Sequence, residues 1–161
     1  MGLAVGCVST NDLTVSASLY NRVSQSFVMI AREDIENGKS VWGSGSGFLV
    51  EDNGTNYLYT AKHIVVDEDG KQPSKLYATT MKGESWTLDL SAVEMPKGKH
   101  DVVRIRLKNQ IGESLKLAKR EPAYQERLYF FGDAFGAGVM NAEVGDVVAV
   151  GPLEFEHAAD I

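Results

Sequence analysis

Gly43-Ser-Gly-Ser-Gly-Phe-Leu-Val50 is followed, across Glu51-Asp-Asn-Gly-Thr-Asn56, by Tyr57-Leu-Tyr-Thr-Ala-Lys-His63. Asn53-Gly54 between two apolar runs is the strongest local signal for a tight hairpin, because both residues tolerate positive φ. Gly43, Gly45 and Gly47 allow a close backbone approach and unusual dihedrals along the first strand. The second strand ends near His63. Asp101 then opens the run Asp-Val-Val-Arg-Ile-Arg-Leu107, 38 residues after the histidine.

Further out, Thr14–Val23 reads as a short helix, with Leu19, Tyr20 and Val23 near one side and Asn11 or Thr14 as caps. Ser26–Ala31 is a compact apolar run, ended by the polar stretch Asp34–Lys39 with its Asn37-Gly38 turn. Later strands are expected over Lys75–Met81, Trp86–Met95 and Val102–Leu107, parted by Lys82-Gly83-Glu84 and Pro96-Lys-Gly-Lys-His100. Val103, Ile105 and Leu107 alternate with Arg104 and Arg106, the period of a half-exposed strand. Short strands between turn signals point to an all-β chain and a small antiparallel barrel, not to a βαβ fold.

Lys108–Ser114 reads as a polar connector. A second β-rich stretch follows, over Leu115–Leu117, Arg127–Phe131, Val139–Ala142, Val147–Val150 and Leu153–His157, punctuated by Gly132, Gly136, Gly138, Gly145 and Gly151. The expected division is a tail over 1–13, a first β module over 14–108, and a second, unfinished module over 109–161.

With 161 residues, 43% hydrophobic and 24% charged, the chain is long enough to bury a core and is not disordered by composition. A net charge of -6 argues against nucleic acid or an anionic membrane as partner. No stretch is long and apolar enough for a transmembrane helix. Met1–Val8 is apolar and carries Cys7, but lacks the charged start and long apolar region of a lipoprotein signal, so it reads as a tail. One cysteine permits no intrachain disulfide, which leaves secreted, periplasmic and viral settings open. No tight His/Asp/Glu cluster suggests a metal, and Gly132–Gly138 opens no evident phosphate-binding helix, so no cofactor is expected.

The order G-S-G-F-L-V, then T-A-K-H, then D-V-V resembles the trypsin-like serine peptidases of the two-barrel fold, in their compact, disulfide-free bacterial and viral branch. The resemblance runs from about Phe27 to Ile161. It implies a double β-barrel whose first barrel is complete and second incomplete, preceded here by a short helix. Phe130-Phe-Gly-Asp-Ala-Phe-Gly136 is similar to the family's apolar strand and G-x-P-x-G turn, with Ala134 in place of proline. Val144–Gly151 and Phe155–Ile161 are similar to the segments that run toward the nucleophile loop.

On that resemblance His63 is the general base, since a serine hydroxyl needs an imidazole to take its proton and return it. Asp101 is the orienting carboxylate that fixes the tautomer and stabilises the imidazolium. Asp67 and Asp69 follow His63 too soon for that role, and Asp89, within a strand, is a weaker substitute. Ser44 and Ser46 occupy the strand position of the family's G-S-G, not that of its nucleophile, and do not fit G-x-S-x-G. Lys62 and Arg104 depart from the small or apolar residues usual at their positions; a lysine pointing inward would weaken His63 as a base. His100 reads as a turn residue and His157 as an exposed strand residue.

The resemblance implies a serine endopeptidase acting on polypeptide, with serine and oxyanion loop expected beyond residue 161 and this chain inactive alone. The second reading is a non-catalytic interaction or scaffold protein that pairs with a partner chain, or with itself, through exposed strand edges. A partner chain that donates the missing strands and serine is a third.

Overall fold

The computed structural model describes residues 15–97, 100–109, 111–133, 138–150 and 155–157. Leu19, Tyr20 and Val23 do share a side of the first helix, α1 (Ala17–Ser24), but Ser16 caps it by accepting from the Leu19 N–H at 3.2 Å. The caps expected at Asn11 and Thr14 lie outside the described residues, as does the tail with Cys7.

Strand β1 (Phe27–Glu36) continues past Ala31, where the polar residues were expected to end it. Its charged half stays in the ladder with three of its charges partnered: Arg32 pairs with Asp34, and Glu33 accepts from Ser40 and Tyr77. β1 turns through Asn37-Gly38, at φ 50° and 76°, into β2 (Lys39–Asp52). β2 turns through Asn53-Gly54, at φ 50° and 79°, into β3 (Thr55–Thr60). Both are turns with two positive φ values, whose twist suits an antiparallel hairpin.

A single helical turn, α2 (Lys62–Val65), follows β3; then come β4 (Lys75–Thr80), β5 (Ser85–Thr87), β6 (Val93–Glu94) and β7 (Val103–Arg106). The strand expected over Trp86–Met95 is broken in two. Asp89 accepts from the Ser91 N–H and hydroxyl and starts a 3-10 turn over Leu90–Ala92, a local alternative that competes with the ladder. Hydrogen bonds from Ser91, with help from Lys108, hold the Asp89 carboxyl down to about 2. Asp89 is therefore a turn residue, not a strand residue.

The strands join in the order β5-β4-β1-β2-β3-β7-β6, with neighbours antiparallel. Residues from across that width, including Leu76, Ile30, Leu49, Leu58 and Ile105, belong to one buried cluster, so the strands share a core along one face of the sheet. Residues 88–92 alone connect the outermost strands β5 and β6, although no ladder joins those two. The last strand of this sheet, β8 (Leu115–Lys116), was expected to open the second β stretch. It pairs in parallel with Val50 and Glu51 of β2, taking the edge that β1 leaves free beyond Phe48.

A second sheet, in the order β11-β10-β9, comprises β9 (Arg127–Gly132), β10 (Asn141–Val150) and β11 (Phe155–His157). β10 runs unbroken through the gap expected between Ala142 and Val147, and Gly145 sits buried opposite Leu128. Val23, Phe27 and Met140, flanked by Phe48 and Phe131, pack α1 and the second sheet onto the outer face of the first. Phe27 and Phe48 meet edge to face at 5.5 Å, and the Tyr20 hydroxyl donates to the Met140 carbonyl at 2.7 Å. The protein is all-β in class. No described helix is long and apolar enough to cross a membrane.

Candidate functional site

His63 lies on α2, one turn beyond the end of β3 and not on the strand itself. Four residues make too few hydrogen bonds for a helix to hold itself, so tertiary contacts must hold it. Val65 and Val66 anchor the turn in the core, while Ile64 packs over Gly45. A Cβ on Gly45 would stand 2.6 Å from Ile64 Cδ1, and one on Gly47 would stand 2.5 Å from the Tyr59 carbonyl oxygen. These two glycines make room for neighbours. Gly43 does not, its nearest contact being an ordinary 3.9 Å, and none of the three has positive φ, so the expected unusual dihedrals are not present.

Asp101 stands just before β7, which pairs with β3 through Thr60 and Val103. That register brings its carboxylate to α2. Oδ2 lies 2.6 Å from His63 Nδ1, and Oδ1 accepts from the His63 backbone N–H at 3.0 Å. Ala61, the residue that begins α2, offers no side-chain cap, so Asp101 caps the turn from the segment before β7. Partial burial pushes the Asp101 carboxyl up, but the His63 ring, its backbone N–H and, less, the Lys62 N–H outweigh burial and hold it below the ordinary carboxylate value. Both side chains stay open to solvent, at 68% for His63 and 57% for Asp101.

Among the described residues nothing hydrogen-bonds His63 Nε2. A carboxylate on Nδ1 favours the tautomer with its proton there, leaving the Nε2 lone pair to accept a proton from a substrate or nucleophile. Ser44 and Ser46 alternate with the glycines, so they face away from the side of β2 on which Ile64 packs, and neither hydroxyl reaches His63. Lys62 is exposed. Arg104 is committed elsewhere: it binds Glu94 at 2.8 Å and Asp52 at 2.9 Å and stacks on Tyr57 at 4.3 Å. Asp67 closes the following turn by accepting from the Lys71 N–H at 2.7 Å, while Asp69 and His100 are exposed.

Arg32 was not singled out from sequence. Its Nη1 donates to the carbonyls of His63 at 3.2 Å and Ile64 at 3.4 Å. The legible signal was a cation and an anion two apart in a strand, Arg32 and Asp34, which share a face.

No group of three or more His, Cys, Asp or Glu side chains among the described residues could hold a metal ion. The turn at Gly98-Lys99, the segment 134–137 with Ala134 and Gly136, Gly151, Leu153 and 158–161 lie outside the described residues. The backbone of His157 pairs with Val147, and its side chain too lies outside the description. A scan against protein-family models finds no match. A search of curated proteins finds none either.

Proposed function

We propose that this chain carries the His–Asp half of a trypsin-like serine endopeptidase. The first sheet serves as the first barrel and the three-stranded sheet as the start of a second, dividing the chain near residues 108 and 109 except that β8, beyond that point, pairs back onto the first sheet. The observation that carries the reading is the 2.6 Å contact between Asp101 and His63 Nδ1, with Nε2 unengaged among the described residues. In this reading Nε2 takes the proton of a serine hydroxyl as its oxygen attacks the scissile carbonyl. The same nitrogen returns that proton to the leaving amine, and Asp101 stabilises the imidazolium between the two transfers. In this reading the serine and the N–H groups that stabilise the oxyanion are supplied from outside these 161 residues.

The reading is tested by casein hydrolysis with the polypeptide encoded by the natural reading frame around this chain. Asp101→Asn is expected to lower kcat by about 10⁴-fold through loss of the correct tautomer. Full activity in His63→Ala would rule the mechanism out.

A second reading, a protease-like interaction protein, is favoured by the apolar surface of the second sheet. Tyr129, Val139, Val148 and Val150 are between 44% and 53% exposed, and β9 pairs only with β10 among the described strands. An apolar cavity of about 600 Å³, lined by Val23, Phe48, Tyr129 and Phe131 among others, lies alongside. In this reading His63→Ala leaves binding to a partner unchanged.

A further inference from the structure

We propose that Arg32, aimed by Asp34, is the positioning residue that keeps His63 in register with Asp101. The backbone of His63 is held on either side of its Cα by opposite charges on different elements. Asp101, before β7, takes its N–H at 3.0 Å, and Arg32, on β1, gives a hydrogen bond to its C=O at 3.2 Å. The second bond of Arg32 Nη1, to the Ile64 carbonyl, occupies another of the acceptors that a helix end leaves open.

The rest of the guanidinium is fixed by Asp34. Nε meets Oδ2 at 2.6 Å and Nη2 meets Oδ1 at 3.3 Å, a two-pronged arrangement that sets the plane of the group as well as its place. The two side chains are only 14% and 25% exposed, so water screens this pair less than an ordinary surface pair. With one cysteine in the chain, no intrachain disulfide can tie the turn to the sheet, and this clasp does so instead.

Without Arg32 the two carbonyls turn to water, α2 gains freedom, and the 2.6 Å contact between His63 Nδ1 and Asp101 loosens. The imidazole proton then redistributes toward Nε2, where it blocks the lone pair that a general base needs. The catalytic meaning of the clasp rests on the function proposed above, while its effect on the tautomer can be read in this chain directly.

Two-bond 15N–1H NMR of the 161-residue chain, at a pH where the imidazole is neutral, reports which ring nitrogen of His63 carries the proton. The native chain is expected to show mainly the Nδ1–H form, and Asp101→Asn to shift it toward Nε2–H. Arg32→Met is expected to make the same shift while the remaining spectrum stays dispersed, and Arg32→Lys to recover part of the native pattern. A folded Arg32→Met with the native tautomer overturns the proposal. Should Arg32→Met fail to fold, Asp34→Ala decides: a shift toward Nε2–H supports the clasp, and a native tautomer overturns it. No effect of Asp101→Asn would remove the His–Asp pair itself, and the clasp with it. A shift in Asp101→Asn but not in folded Arg32→Met removes the clasp alone.

Discussion

Alanine placed in turn at Gly43, Gly45 and Gly47 separates room for a backbone from room for the His63 turn. At Gly47 the new methyl would sit 2.5 Å from the Tyr59 carbonyl oxygen and 2.9 Å from Leu58 Cδ1. Comfortable heavy-atom contacts begin near 3.5 Å, and a ladder oxygen cannot rotate away. β2 and β3 must therefore part locally, at about 2–3 kcal/mol, the upper range of an overpacked core. At Gly45 the obstacle is only a side chain, with Ile64 Cδ1 at 2.6 Å and Cγ1 at 2.8 Å. Ile64 is β-branched and must leave its rotamer or carry α2 with it, at about 1 kcal/mol. At Gly43 the methyl meets Arg32 Cβ at 3.9 Å, and lowering the freedom of the unfolded chain stabilises by about 0.4–1 kcal/mol. Urea unfolding should rank the midpoints Gly43→Ala, native, Gly45→Ala, Gly47→Ala from highest to lowest. With a slope of about 2 kcal/mol per molar urea, Gly47→Ala should fall by about 1 M. The native spectrum should change around His63 in Gly45→Ala more than in Gly43→Ala. Equal midpoints for the Gly43 and Gly47 variants would refute the close-approach argument.

The depressed Asp101 pKa fixes a sign for acid behaviour. The unfolded carboxyl titrates near 4, so the stability lent by the pair is complete above about pH 4 and is lost as pH falls through the lower folded value. The His63 amide, which donates to Asp101, should shift and lose exchange protection in that acid range; an amide that ignores the titration would contradict the cap. Met140→Ala, in the cluster that seats the second sheet, should destabilise by about 2–5 kcal/mol in thermal unfolding. A smaller loss would mean that the second sheet is not seated by this cluster.

Both Asn-Gly turns were legible because the chemistry of a tight turn is written in two adjacent residues. So was the pairing of His63 with Asp101, although not the helical turn that carries the histidine. Other features depend on side-chain and strand partners that the composition of a segment does not announce. The charged end of β1 looks like a strand stop until Asp34, Ser40 and Tyr77 are seen to receive its charges. Trp86–Met95 has the composition of one strand, and the break comes from the Asp89–Ser91 hydrogen bonds. Leu115–Lys116 carries no local sign that it belongs to β2, since only the end of β1 creates that vacant edge. Arg32 was missed for the same reason: its acceptors are 31 and 32 residues away.

The central claim is that His63 serves a serine nucleophile. Treating the polypeptide of the natural reading frame with a fluorophosphonate, and locating the adduct by mass spectrometry, tests it most directly. One adduct is predicted, on a serine outside residues 1–161, with labelling abolished by His63→Ala. No adduct, an adduct on Ser44 or Ser46, or labelling undiminished in His63→Ala would contradict it.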